Sequence, residues 1–367
     1  MKKIIRVLFI FFSLNLAAQE ESKPKIPDFL RSIEPYGTFE YAAAGYKDGI
    51  AVVDLIPRVG VAGEWFFKDS DDYYFFTKAE IGLHLTRRND YITISVDPGG
   101  KYGKTDNAIY ARQGFIGIGT PFGRISVGKQ WGVHYALAGN IDNMYIFGGD
   151  AIGVYNAGTD GGPSGTGRAD QSIKYEFSND RFYVGVQGQF RNFSSNNVKF
   201  ADAAGISSYY DFRIFKFGLS YNKVFDGVEV PIPGETKTDD EFFSALIDVN
   251  RENFHFGILG NIFNNHEKDN SGEFFKGWGV EYNLKYNFGK EKEWSFVNNS
   301  SIMKPFSDED MEYISNRYSF ELARRFSQNT AVILGFRYDN STNADGIKNK
   351  IHHVALGFYY NFNYPVP

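Results

Sequence analysis

From Trp278 to Phe288 apolar side chains occupy every second position: Trp278, Val280, Tyr282, Leu284, Tyr286 and Phe288. Gly279, Glu281, Asn283, Lys285 and Asn287 stand between them. Successive side chains of a strand point to opposite faces, so this segment has one apolar face and one wet face. The same alternation predicts sixteen strands, near residues 35–46, 50–66, 72–87, 108–119, 122–131, 168–178, 181–191, 204–212, 214–224, 239–249, 252–263, 273–288, 292–303, 312–325, 328–339 and 350–363. Almost no helical periodicity remains to cover so many apolar faces. A barrel closed in a bilayer resolves this: apolar faces meet lipid and polar faces meet enclosed water. The expected fold is all-β, a transmembrane antiparallel β-barrel of one domain.

The connections alternate in length. Short ones fall at residues 68–71, 120–121, 179–180, 213, 251, 289–291 and 327. Longer ones fall at 47–49, 88–107, 132–167, 192–203, 225–238, 264–272, 305–311 and 340–349. Short turns on one rim and long loops on the other are the outer-membrane barrel pattern. Eight strands leave an interior filled by side chains, whereas 16 to 18 leave an aqueous channel. Gly, Asn, Gln, Lys, Arg, Asp and Glu on the inner parity therefore predict a water-filled lumen.

Composition narrows the compartment. Aromatics reach 17%, as girdles at both membrane interfaces require. A mean hydropathy of −0.35 excludes a helical membrane protein, and no run after residue 18 has the apolar length of a spanning helix. There is no Cys, hence no disulfide framework and no thiolate chemistry. Lys2, Lys3 and Arg6 precede an apolar run, Val7 to Leu16, and then Ala17-Ala18, which is a signal-peptide pattern over residues 1–18. Residues 19–34 are expected as a periplasmic segment, 35–363 as the barrel and 364–367 as a proline-bearing tail. Loss of three basic residues from a chain of net charge −5 leaves about −8, which argues against a nucleic-acid partner.

Residues 132–167 break the strand rhythm. Loops of this length are functional or disordered. This one carries Tyr135, Met144, Tyr145, Ile146, Phe147, Val154 and Tyr155, which suit packing, together with Asp142, Asp150 and Asp160. An external loop is the plainer alternative. The Gly-rich half, Gly158 to Gly167, is no phosphate cradle, since no Gly-Lys-Ser/Thr follows it.

The run Gly123-Arg124-Ile125-Ser126-Val127-Gly128-Lys129-Gln130-Trp131-Gly132-Val133-His134-Tyr135, followed by Asp142 and Phe147-Gly148-Gly149-Asp150, resembles the general diffusion porins of Gram-negative outer membranes. The resemblance implies a sixteen-stranded trimer whose third loop folds into the lumen and narrows it. It implies that acidic loop residues face a basic cluster on the opposite wall. Carried over singly, Asp142 and Asp150 match loop carboxylates, while Arg58, Lys129 and Arg168 match wall cations. Two positions depart: a loop Glu falls on Ile146 and a first-strand Lys falls on Thr38. Two loop carboxylates against three wall cations would discriminate weakly between ions.

The residues themselves agree in part. Arg58 shares parity with Gly60, Ala62 and Glu64, and Arg168 with Asp170, Ser172 and Lys174, so both point inward. Lys129 shares parity with Ile125 and Val127. A bulge near Gly128 would re-aim it; otherwise those apolar residues fill space inside. Arg87, Arg88 and Arg112 are further basic candidates.

The expected function is passive diffusion of ions and small hydrophilic solutes across the outer membrane, with lipid and further copies of the chain as partners. A substrate-specific channel is the nearer alternative and a barrel enzyme the farther one. The six His show no local pairing with Ser or a carboxylate and no metal-ligand run, so neither a catalytic residue nor a cofactor is expected.

Overall fold

A computed structural model describes residues 33–46, 49–55, 57–67, 72–86, 108–148, 150–191, 201–225, 237, 239–307, 309 and 311–363. The expected signal peptide, residues 1–18, the tail, residues 364–367, and the loop at 88–107 with Arg87 and Arg88 lie outside them. No helix among the described residues is long and apolar enough to cross a membrane.

Seventeen strand segments form one antiparallel sheet. In chain order they are β1 (Ile33–Tyr46), β2 (Gly49–Asp54), β3 (Arg58–Phe66), β4 (Tyr74–Leu83), β5 (Ile109–Thr120), β6 (Gly123–Trp131), β7 (Arg168–Ser178), β8 (Phe182–Gln189) and β9 (Ala203–Asp211). Then come β10 (Lys216–Val224), β11 (Glu241–Asn250), β12 (Phe254–Lys268), β13 (Phe274–Phe288), β14 (Trp294–Pro305), β15 (Ser315–Arg325), β16 (Thr330–Thr342) and β17 (Lys348–Asn363). From β3 onward each pairs with the next in sequence, and β1 closes on β17 from Tyr36↔Asn363 to Tyr46↔His353.

β2 and β3 both pair with β1, so they are two halves of one stave and the barrel has sixteen. The uninterrupted strand expected at 50–66 is broken, because the pairing passes from Tyr41↔Asp54 to Thr38↔Arg58, four residues along this stave against three along β1. Pro57 has no N–H to give to a ladder. The extra residue is a bulge, and it changes the parity. Ala51 and Leu55 are buried on the lumen side, yet Arg58 also turns to that side. Two strands run past their expected ends, β12 to Lys268 and β16 to Thr342, so two of the long connections are tighter than expected. A bulge between Asn264 and Glu267 carries β12 onward.

The burial pattern is that of a soluble protein turned inside out. Ile116, Ile125, Leu219, Ile262, Leu334 and Val354 are exposed, while Ser126, Gln187, Ser207, Asn222, Glu281 and Asn283 are buried. Lipid supplies the apolar contact outside. Aromatic rings gather at the short-turn rim, as in Phe66–Tyr74, Phe67–Phe75, Phe212–Phe215 and Phe288–Trp294. Such rings suit a membrane interface, where one end of the ring is apolar and the other wet.

The lumen loop and the wall it faces

The chain leaves β6 at Trp131 and re-enters the sheet at Arg168. Between them it runs inside the barrel. Its neck is tied by Gly132 N–H to Gly167 C=O at 2.7 Å and by Arg168 N–H to Asp160 C=O at 2.9 Å. Trp131 and Tyr135 stack face to face, 3.7 Å between centroids. One helical turn, α1 (Tyr135–Ala138), follows.

The loop then crosses to the far wall. Residues 145–147 reach β15: the N–H groups of Tyr145, Ile146 and Phe147 donate to the carboxylate of Glu321 at 2.6, 2.8 and 2.9 Å. On the return, Ala151 N–H donates to Glu281 on β13 at 2.8 Å and Ala157 N–H to Glu267 on β12 at 3.0 Å. Three wall carboxylates thus satisfy five loop donors that would otherwise be buried without partners. Gln187 of β8 takes the N–H of Val133 and gives its own amide to Gly165 C=O, and Gln189 donates to Gly162 C=O. His266 of β12 lies 3.1 Å from Gly153 C=O.

Apolar loop residues press into wall glycines. A Cβ on Gly218 would lie 3.0 Å from Leu137, on Gly257 2.3 Å from Ile141, on Gly335 2.8 Å from Phe147 and on Gly357 2.8 Å from Ile146. Around the last two the inner wall is built of Ala42, Ala44, Ala51, Ala323, Ala331 and Ala355. Small residues there leave a socket that Ile146 and Phe147 fill. Burying two such side chains stabilises the seating by about 1.5–3 kcal/mol each.

Four of the residues singled out in the sequence fasten the loop. Ile146 fills that socket. Asp150 pairs with Arg317 of β15, which also holds Asp339 at 2.9 Å. Lys129 bonds Asp160 of the loop at 2.9 Å and Asp170 of β7. Arg168, fully buried, reaches Asp160 at 3.3 Å and lies over the rings of Trp131 and Tyr155. The register slips here, Lys129 standing against both Asp170 and Gln171 of β7, and Gly128 has φ +135°. A side chain could not adopt that backbone without strain.

Two more, Arg58 and Thr38, lie across the remaining gap, on the β1–β5 side. Arg58, 26% exposed, stands 4.0 Å from Glu40, and Thr38 is its register partner on β1. Arg112 bonds Glu80 at 2.8 Å, and Tyr36 and Gln113 donate to the same carboxylate at 3.0 and 3.3 Å. Lys78 is 3.9 Å from it. Arg112 is the extra residue of a bulge opposite Glu80–Ile81, so Arg112 and Gln113 both face inward. Facing them on the loop is the Tyr135–Asp142 pair, 3.5 Å apart. Burial raises the Tyr135 hydroxyl above its ordinary range, Asp142 raises it further, and the fields of Arg58, Arg168 and Arg112 pull it back. Glu40, Glu80, Lys78 and Glu321 carry as much of this arrangement as the residues read from the sequence. Only their place on the inner parity marked them.

Ser244 Oγ lies 3.4 Å from His134 Nδ1, a Ser–His contact made only by folding. Both residues are fully buried behind the loop. No group of three or more His, Cys, Asp or Glu among the described residues could hold a metal ion.

A sequence profile of Gram-negative porins matches residues 64–366. The chain belongs to the Gram-negative porin family. This porin is therefore an outer-membrane channel, and its fold is the closed sixteen-stave barrel of that family. No curated protein sequence matches it. Among solved structures the porin is similar to Salmonella typhi OmpF in complex with daunomycin, at 16% identity and TM-score 0.69 over 92% of this chain and 99% of that one. It is similar to the anion-selective porin of Comamonas acidovorans, at 14% identity and TM-score 0.66 over 90% and 99%. It is also similar to Vibrio cholerae OmpT in its trimer form, at 16% identity and TM-score 0.61 over 90% and 99%. At these identities the likeness is one of fold.

Proposed function

We propose that the gap between the loop and the β1–β5 wall is the constriction of a passive diffusion channel for ions and small hydrophilic solutes. One arrangement carries this reading: the Tyr135–Asp142 pair faces Arg58 and Arg112, while the opposite side of the loop is fastened to the far wall. The charges at the gap are Arg58, Arg112 and Lys78 against Glu40, Glu80 and Asp142, three against three. Fixed charges in a slot walled by low-dielectric protein focus their field. Polar solutes align in such a field. Apolar ones lose hydration without gaining a partner. With the two signs balanced, the slot favours neither anions nor cations strongly.

The porin is exported by its N-terminal signal peptide and works as a homotrimer without catalysis. Support for the trimer comes from the similar Vibrio cholerae structure in trimer form and from outward glycines such as Gly114, above which the surface is open. Single-channel recording in a planar bilayer tests the whole reading. Ohmic current in steps of three, with a reversal potential near zero in a salt gradient, is the expected result. Saturable transport of one solute would favour a substrate-specific channel, and hydrolysis of lipid or peptide by the purified protein would favour an enzyme.

A further inference from the structure

On the short-turn side of the loop the lumen wall holds an ammonium group that answers no carboxylate. Lys285 shares the inward parity of Glu281 and Asn283 on β13, and its register partners are His255 of β12 and Val297 of β14. Glu281 receives the loop at Ala151, so Lys285 stands beyond the loop, toward the periplasmic rim. Among the described residues Lys285 donates no hydrogen bond and forms no ion pair. An ammonium has three donors and no acceptor, so all three are left to lumen water or to a solute. The carboxylates nearby are already taken. Glu321 accepts from three loop N–H groups, and Asp248 of β11 holds His255 at 2.5 Å and Lys216 at 3.9 Å.

Two rings stand beside it. The centroid of Tyr145, on the loop, lies 5.8 Å from the Lys285 ammonium, and Tyr145 meets Tyr359 of β17 edge to face, 5.6 Å between centroids at 77°. Both tyrosines are half-buried, so each keeps part of its ring open to the lumen. The Tyr145 hydroxyl has no hydrogen-bond partner among the described residues. An edge-to-face pair leaves a corner between the face of one ring and the edge of the other, and a third ring packs there in the same geometry. Arg325 of β15 adds a second cation. Its field reaches Tyr145 and Lys285 alike, and it forms no ion pair among the described residues. At the gap, by contrast, Arg58 stands against Glu40, and Arg112 and Lys78 against Glu80.

We infer that Tyr145, Tyr359, Lys285 and Arg325 form a solute subsite for an aromatic carboxylate on the periplasmic side of the gap. The carboxylate accepts from the Lys285 ammonium and the Tyr145 hydroxyl, within the field of Arg325, and the solute's ring takes the corner between the two tyrosines. A carboxylate without a ring gains only the charge contacts, and a ring without a carboxylate only the packing. The inference rests on the lumen being the diffusion path.

The test uses the full-length porin in a planar bilayer, with salt current recorded while benzoate, acetate or benzyl alcohol is added. Benzoate is expected to block the current at a concentration at least tenfold below that needed for acetate or for benzyl alcohol. Lys285→Gln should lose the tenfold preference over benzyl alcohol, and Lys285→Arg should keep it. Tyr359→Leu should lose the preference over acetate. A lysine that only supports the loop would change the salt current in Lys285→Gln and leave the benzoate preference intact, which overturns the inference. Equal block of the wild type by all three solutes overturns it whether or not the variants fold. Salt current that benzoate never blocks overturns this inference alone, whereas no salt current at all overturns the diffusion reading and this inference with it.

Discussion

Ile146 of the loop occupies the space a side chain on Gly357 of β17 would need: its Cδ1 lies 2.8 Å from where a Cβ would stand. The loop therefore reaches the far wall only because that wall is bare. Gly357→Val is expected to unseat the loop tip at a cost of about 1–3 kcal/mol from overpacking. Single-channel conductance should rise while the barrel stays heat-modifiable. Ile146→Glu should act the same way, since its carboxylate would enter an alanine-lined socket beside Glu321. A change of ion preference at unchanged conductance in either variant would contradict this seating.

Glu321 gathers three N–H donors on one carboxylate. Truncation to alanine leaves all three buried without an acceptor, at about 1–3 kcal/mol for each that water does not rescue. Glu321→Ala is expected to give noisy, enlarged currents and protease cleavage within residues 132–167. Glu321→Gln keeps an acceptor oxygen and should lose much less. Equal behaviour of the two variants would refute the acceptor role.

Arg58 and Glu40 stand 4.0 Å apart at the gap with opposite signs. Removing each should move the reversal potential in opposite directions. Arg58→Ala should favour cations and Glu40→Gln should favour anions. A fixed charge about 8 Å from a passing ion acts with roughly 0.5 kcal/mol in bulk water and several-fold more beside protein. The shifts should therefore be measurable without closing the pore, and should shrink in high salt. Movement in the same direction would place one of the two away from the permeation path.

His134 supplies a pH dependence. Burial pushes its imidazole down to about 4, and nearby His266 adds to this, while the hydrogen bond to Ile152 C=O at 2.7 Å opposes it. Above pH about 6.5 the ring is neutral in both the seated and the released loop, and no penalty arises. As pH falls below that value the released ring takes a proton and the seated one does not. Seating weakens until about pH 4, by about 3 kcal/mol in all. Conductance at pH 4.5 should exceed that at pH 7, and His134→Gln should flatten the profile. An identical profile in the variant would remove His134 from the account.

Fold was legible because alternation with period two is a local signal, and it persists through all sixteen staves. Wherever the ladder is regular, parity places side chains correctly: Lys174 and Glu281 face inward as their neighbours require. It fails at bulges. Arg112 is itself an extra residue, and the register slips beside Lys129, where β7 sets Asp170 and Gln171 against it, so that Arg168 lies beyond the slip from Ser172 and Lys174. A bulge is a mismatch between two strands, so a single strand read alone carries little sign of it beyond a Pro57 or a Gly128.

The barrel, its outward apolar face and the existence of a long third loop were settled by sequence alone, because each follows from spacing along one stretch of chain. Which charges face each other was settled by tertiary structure. Asp150 meets Arg317 on β15 and Lys129 meets Asp160, while Asp142 remains at the gap, because the loop seats where wall glycines and alanines leave room. That choice depends on side chains some 200 residues away in the chain, as Ile146 and Gly357 are. No local pattern encodes such a distance.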